Sequence, residues 1–236
     1  HRVDVNMTMP GIRENEILGE VWKTFAYLGA EWTQCSNLVV SGPYTAPYRR
    51  FTSDRVIQFG DLVIVDIGAG YNGYWGDWTR TWLAPSPFVP GGNLIKEAPK
   101  PLKDIYQEAY DALWAGIEAA KPGNTTRDVW RAMISKNPHN WGLTLGHGSS
   151  TGTWEPPYIT AAAEDEPMEL KPGMQFNLEP YAGIPGIGGV RLENQILVTE
   201  DGPLVFSTFP FDPRLLDHIH PMDKTTQILA EIIAKK

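Results

Sequence analysis

The chain predicts an α+β fold of two related halves, each a helix followed by an antiparallel hairpin. Three observations carry the prediction. The segment 60–82, GDLVIVDIGAGYNGYWGDWTRTW, opens with an apolar run long enough for one buried strand, reaches the carboxylate Asp66 beside Gly68 and Gly70, and returns on a second short strand to Asp77. GMQFNLE at 173–179 repeats the design of GDLVIVD at 60–66, a glycine followed six residues later by an acid, and a second acid, Glu193, comes fourteen residues after Glu179. PGIRENEI from Pro10 is echoed by PGNTTRDV from Pro122, an offset of 112, and Gly60 to Gly173 is an offset of 113. Two matching offsets argue for an internal duplication, about 10–115 and 116–205, within one domain spanning 1–236.

In chain order, residues 1–9 read as the end of a helix or a strand leading into the Pro10-Gly11 turn. From 12 to 29 the apolar positions Ile17, Leu18, Val21, Trp22, Phe25 and Leu28 follow a helical period, with Gly29 placed to stop it. NLVVSG at 37–42 is a short strand, and PYTAPYRRFTSDR at 43–55 is a loop expected to lie over the acids. A proline and glycine break at 84–93 precedes a long helix over 101–120, which Lys121-Pro122-Gly123 ends. A short helix over 126–135 has Thr125 or Thr126 as its N-cap. His147 then stands between two glycines, which let the backbone run close to a ligand or another strand. The Glu179/Glu193 hairpin follows, its arms joined by the glycine-rich connection YAGIPGIGGVR. Further pairing runs through ILVTEDGPLVFS, the segment FPFDPRLLDHIHP suits a pocket edge or dimer seam, and a helix over 225–235 closes the chain.

At 236 residues, 42% hydrophobic and 20% charged, the composition is that of a globular domain with one sizeable core. A net charge of −8 argues against a general nucleic-acid binder. The single cysteine, Cys35, excludes a disulfide framework within the chain and fits a reducing, cytoplasmic setting. No run approaches the eighteen or so apolar residues of a membrane span. The chain begins at His1, close to the first helix cap, so a further N-terminal domain is expected upstream.

An acid closing an apolar strand is costly to bury unless it is paired or bound to metal. Taken alone, Asp66 and Asp77 are either turn residues of a hairpin or half of a cation site; the second pair, Glu179 and Glu193, favours the site. Asp66, Asp77, His147, Glu179 and Glu193, in that order and each acid pair on a glycine-led strand, resemble the ligand series of the pita-bread metallohydrolases. That family includes methionine aminopeptidase, Xaa-Pro aminopeptidase, prolidase and the metal-free creatinase. The motifs that carry the resemblance are VDIGAGYNGYWGDWTRTW, GHG, NLEP and GGVRLEN, and it covers nearly the whole chain.

The resemblance implies the pita-bread fold, with its two halves about a pseudo-twofold axis, and two divalent metal ions. Asp66 would chelate one, His147 and Glu179 would bind the other, and Asp77 and Glu193 would bridge both. Mostly oxygen ligation with one imidazole suits Mn, Fe, Co or Zn. It further implies a bridging water that attacks an amide carbonyl, with Glu179 as general base, acting on a short peptide or small molecule, in a homodimer.

The sequence departs from the family at two further histidines. The segment resembling SGxNAxxPH reads SGPYTAPYR, ending Tyr48-Arg49, and the one resembling HExP reads Trp154-Glu155-Pro156-Pro157. Neither ring shuttles a proton at neutral pH as imidazole does. Trp154, Tyr48 and Tyr44 are therefore expected to contact substrate, and Arg191 to pair with a ligand carboxylate or the metal-binding acids. The primary expectation is a dinuclear hydrolase resembling Xaa-Pro aminopeptidase and prolidase. The alternative is a non-peptidase enzyme on the same scaffold, resembling dimethylsulfoniopropionate lyase or a hydrolase of an ectoine-like zwitterion. A non-catalytic binding module ranks last, because such relatives lack the metal ligands.

Overall fold

The computed structural model describes residues 2–33, 37–141 and 143–235; His1 and Cys35 lie outside them. The first residues form helix α1 (Arg2–Met7), followed by α2 (Glu14–Tyr27). The second helix starts at Glu14 and not at residue 12 because residues 11–14 already hold strand-like bonds: Gly11 N–H donates to Ile57 O at 3.0 Å and Ile57 N–H to Ile12 O at 2.8 Å. Gly29, with φ of +89°, takes the left-handed turn that ends the helix.

Strands β1 (Trp32–Thr33), β2 (Leu38–Ser41), β3 (Leu62–Tyr71) and β4 (Tyr74–Leu83) make an antiparallel sheet in which β3 pairs with the other three. The predicted hairpin is present but longer than expected. The β3 strand does not end at Asp66; it runs through Gly68 and Gly70, and the turn is Asn72-Gly73, both at positive φ. That dipeptide suits the tight two-residue connection whose twist matches the strands.

The second half opens with α3 (Lys100–Ala119) and α4 (Thr126–Ile134). Thr125 is the N-cap of α4: its hydroxyl accepts from Asp128 N–H at 3.4 Å, and the Asp128 carboxylate accepts from Thr125 N–H at 2.7 Å. Strands β5 (Gly146–Gly148), β6 (Glu155–Ile159), β7 (Gln175–Leu178), β8 (Tyr181–Ile184), β9 (Gly188–Arg191), β10 (Asn194–Thr199) and β11 (Gly202–Val205) follow, and helix α5 (Lys224–Ala234) closes the chain. Five of these strands form one sheet in the order β11-β10-β7-β5-β6. The expected connection YAGIPGIGGVR is itself the β8–β9 hairpin, Tyr181 opposite Arg191 and Ala182 opposite Val190.

Equivalent features recur at the two offsets read from the sequence. The α2 and α4 starts are Glu14 and Thr126, and isolated bridges join Arg13 to Val56 and Thr125 to Glu169. One core packs α3 and α4 on β7 and β10 through Leu113, Ile117, Met133, Phe176, Leu178 and Ile196; the other packs α2 on β3 through Ile17, Leu18, Val21, Val63 and Val65. The segment after β11 is not a free seam: Phe211, Leu215 and Leu216 are buried in the first core. No helix among the described residues is long and apolar enough to cross a membrane.

Candidate metal centre and its mouth

Period-two alternation decides which way each acid points. Val63, Val65 and Ile67 face α2, so Asp66 projects from the other face of β3. Thr79 stands opposite Asp66, and Asp77 opposite Gly68, which makes Asp66 and Asp77 diagonal neighbours on that face. In the second half Phe176 and Leu178 face the core, sending Asn177 and Glu179 the other way. The register is the same on both sides of the break in that hairpin, Leu178 opposite Asn194 and Tyr181 opposite Arg191. Glu179 and Glu193 therefore stand opposite each other at the break. His147 pairs with Asn177 on β7. Its flanking glycines are required by proximity: a Cβ on Gly146 would run into the Asn177 carbonyl, and one on Gly148 into the carbonyls of Glu155 and Pro156.

The two acid pairs meet because β4 docks on the second hairpin. Glu193 N–H donates to Thr79 O at 3.0 Å, and the Thr81 hydroxyl donates to Arg191 O at 2.7 Å while accepting from Arg191 N–H at 3.1 Å. Buried Arg80 adds bonds to Glu193 O at 2.5 Å and Asn194 Oδ1 at 2.9 Å. Residues more than a hundred positions apart are thereby held in register.

At the meeting point, ligand atoms of Asp77, His147 and Glu193 lie within 4.8 Å of one another, all buried. His147 Nδ1 is 3.0 Å from Gly148 O; a carbonyl only accepts, so Nδ1 carries a proton and Nε2 is the nitrogen left to ligate a metal. Nε2 lies 3.8 Å from Asp77 Oδ2 and 3.7 Å from Glu179 Oε1. Glu179 Oε1 and Glu193 Oε1 are buried without a hydrogen-bond donor among the described residues. Burial pushes the Glu193 carboxyl well above the usual range, and the charges of Asp77, Glu179 and Asp66 push it further. Buried acceptors converging without donors fit a divalent cation, and a set of carboxylates with one neutral imidazole fits the metals named above.

The remaining oxygens are held. Glu193 Oε2 accepts from the Thr79 hydroxyl at 2.8 Å and Asp66 Oδ2 from the Tyr48 hydroxyl at 2.7 Å. Burial raises the Tyr48 phenol well above its ordinary value and the neighbouring Asp66 adds to this, so Tyr48 stays a donor. Arg191 bonds Glu179 Oε2 and lies 4.7 Å from the Tyr48 ring centre. Burial works against its charge, but Glu179, Tyr48, Asp66 and Glu193 outweigh burial and hold it protonated.

A cavity of about 180 Å³ opens onto these groups, with Tyr48, Arg49, Leu143, Thr144 and Trp154 around it and Arg191 at its wall. Tyr48 and Arg49 come from the 43–55 loop, which lies over the acids as expected. Buried Glu14 anchors it, accepting from Ser41 N–H at 2.8 Å and the Ser53 hydroxyl at 2.7 Å. Trp154 lies on the His147 ring, centroids 4.2 Å apart. Tyr44 is not at the cavity; its ring sits under Arg50, 3.7 Å away. His218 and His220 lie away from the site: His218 meets Asp111 at 3.0 Å, and His220 stacks on Trp114.

Thr79, Arg80 and Asn177 escaped the sequence reading. Thr79 was legible as the residue two beyond Asp77, hence on the same strand face. Asn177 is fully buried on the His147 side of β7, with neither amide atom hydrogen-bonded among the described residues.

Residues 1–200 match the family model for metallopeptidase family M24. The chain is 35% identical over 199 residues to the Xaa-Pro dipeptidase of Pyrococcus furiosus, covering 81% of this chain and 53% of that protein. It is 33% identical to the uncharacterized peptidase YqhT of Bacillus subtilis over 82% of this chain and 52% of that protein. Among solved structures, the Xaa-Pro dipeptidase from Bacillus anthracis superposes with a TM-score of 0.75 at 31% identity, covering 86% of this chain and 55% of that one. The prolidase from Pyrococcus furiosus superposes with a TM-score of 0.74 at 31% identity, over 84% and 56%. The chain thus spans about half the length of the relatives it matches.

Proposed function

The chain belongs to metallopeptidase family M24 and has its pita-bread fold, and on that premise we propose that it is a metal-dependent hydrolase of amide bonds acting on short Xaa-Pro peptides. The observation that carries this reading is the convergence of ligand atoms of Asp77, His147 and Glu193 within 4.8 Å, with Glu179 Oε1 3.7 Å from His147 Nε2 and with Glu179 Oε1 and Glu193 Oε1 lacking donors among the described residues; Asp77, His147 and Glu179 line one small cavity. Asp66 lines the same cavity, and the five residues would hold two divalent ions. Bound there, the ions would supply Lewis acidity toward a carbonyl and toward water.

The chain's own residues do the rest. Arg191 fixes Glu179 through Oε2, leaving Oε1 on the cavity side to take a proton from the attacking water. The Nδ1–H bond to Gly148 O fixes the His147 tautomer, and Thr79 and Tyr48 orient Glu193 and Asp66. Leu143 and Trp154 line the mouth.

A second reading, turnover of a small zwitterion, is favoured by the mouth: an indole lies over His147 and a phenol bonds Asp66 where the family's peptidases usually carry imidazoles. The experiment is an activity screen of the full-length protein loaded in turn with Mn, Fe, Co and Zn, with bound metal counted in the same samples. Hydrolysis of Xaa-Pro di- and tripeptides establishes the peptidase. Turnover confined to sulfonium or ectoine-like zwitterions moves the chain to the second reading, and absence of bound metal removes both. The homodimer expected from the resemblance belongs to this proposal and is read by light scattering.

A further inference from the structure

Trp154 borders two cavities, the one in front of His147 and a neighbour. The second cavity, of about 360 Å³, is walled by Pro156, Tyr158, Ala162 and Met168, with Glu166 beside them. The three rings run from one space to the other: His147 to Trp154 at 4.2 Å and Trp154 to Tyr158 at 5.9 Å. Trp154 is 55% exposed, so the partition is a surface ring and not a core side chain. The neighbouring acid Glu164 is held by Arg131 and Arg127, whereas Glu166 has no ion-pair partner among the described residues. Largely apolar walls, with Thr126 and Thr160 among them and one carboxylate without an ion pair among the described residues, complement an apolar group that ends in a positive charge.

We propose that the two cavities form one trough divided by Trp154, and that the outer one is a subsite for an apolar, cation-tipped part of the ligand, such as a hydrophobic residue bearing a free amine. The proposal deepens the hydrolase reading and rests on it for what occupies the inner cavity. It makes Trp154 a specificity-determining residue, since the ring sets how a ligand passes from one space to the other.

The test is calorimetric titration of the full-length protein with phenethylammonium and with neutral 2-phenylethanol. The cation should bind about threefold more tightly, as expected of a charge pair with an exposed carboxylate. Glu166→Gln should abolish that preference, and Ala162→Trp, at an exposed position, should weaken both probes about tenfold. Met168→Lys, also exposed, should repel the cation and serves if Ala162→Trp misfolds. Equal binding of the two probes, no saturable binding, or binding lost in Glu179→Gln but untouched by the outer substitutions would overturn the subsite. Turnover is not part of this readout. Retained binding with no hydrolysis of any Xaa-Pro peptide therefore removes the hydrolase reading and leaves the outer ligand site standing.

Discussion

At the floor of the cavity Asp77 and Glu179 are each 4% exposed, and Glu193, grouped with Asp77 and His147, is 0% exposed, whereas Trp154 at the mouth is 55% exposed. On the floor each acid has an oxygen aimed at the common centre, and Thr79 and Arg191 grip the opposite oxygens of Glu193 and Glu179. At the mouth Trp154 is placed mainly by ring contacts with His147 and Tyr158. Floor and mouth thus obey different physics. Burial makes every floor atom answerable to a partner, because an unmatched buried charge costs several kcal/mol. The exposed mouth ring can be exchanged at little cost to stability, which is where a scaffold can change its ligand without losing its fold.

The largest effect that would break this contrast is expected from Asp77→Ala. It should remove bound metal and lower any amide hydrolysis roughly a thousandfold, about 4 kcal/mol of transition-state stabilisation. Full metal stoichiometry by elemental analysis in that variant would show that the floor is not a ligand cradle. Chelation comes next. Stripping metal held at a hundredfold over its dissociation constant should cost about 2.7 kcal/mol and lower the melting temperature by roughly 5–10 °C. A melting curve indifferent to chelator would mean that the Glu179 and Glu193 oxygens without a donor among the described residues need no cation.

Thr79→Val removes the hydroxyl that orients Glu193 and leaves its acid in place. Metal affinity should fall about ten- to a hundredfold in competition with a chelating dye, with the fold unchanged by circular dichroism. The smallest effect on stability belongs to Trp154→His, within about 0.5 kcal/mol because the site is exposed. Metal content should hold while Xaa-Pro hydrolysis rises, as an imidazole regains proton exchange at neutral pH. A drop in metal content instead would place Trp154 in the cradle and erase the distinction between floor and mouth.

The floor was legible because strands impose a local rule. A glycine at left-handed φ opens each arm, Gly60 at +87° and Gly173 at +91°, and six residues of alternation then send an acid to one face. The same rule could not show that YAGIPGIGGVR is a hairpin, since its glycines Gly183 and Gly189 are demanded by neighbours: a Cβ on either would meet the Tyr181 hydroxyl. Nor could it show where β3 turns. Gly68 and Gly70 look like turn residues in the sequence, but pairing with β4 keeps them extended and leaves the reversal to Asn72-Gly73.

Two further placements depended on partners distant in the chain. Tyr44 and Tyr48 sit four residues apart on one loop, yet only Tyr48 reaches the cavity. Its hydroxyl is taken by Asp66, and Tyr44 is covered by Arg50. Arg80 reads as an ordinary strand arginine until Glu193 O, Asn194 Oδ1 and Phe209 O appear around it.

By itself, then, the sequence determined the order of the main helices, the two glycine-led acid pairs and the glycine-flanked histidine, because periodicity, turn chemistry and spacing act over a few residues. Only the tertiary structure decided that the acid pairs meet, through Thr79, Arg80 and Thr81 on one hairpin and Arg191 to Asn194 on the other. It also decided which oxygens lack donors and which tyrosine faces the site. Those outcomes turn on contacts between residues up to 114 positions apart, whose geometry follows from packing two cores together and from no local pattern.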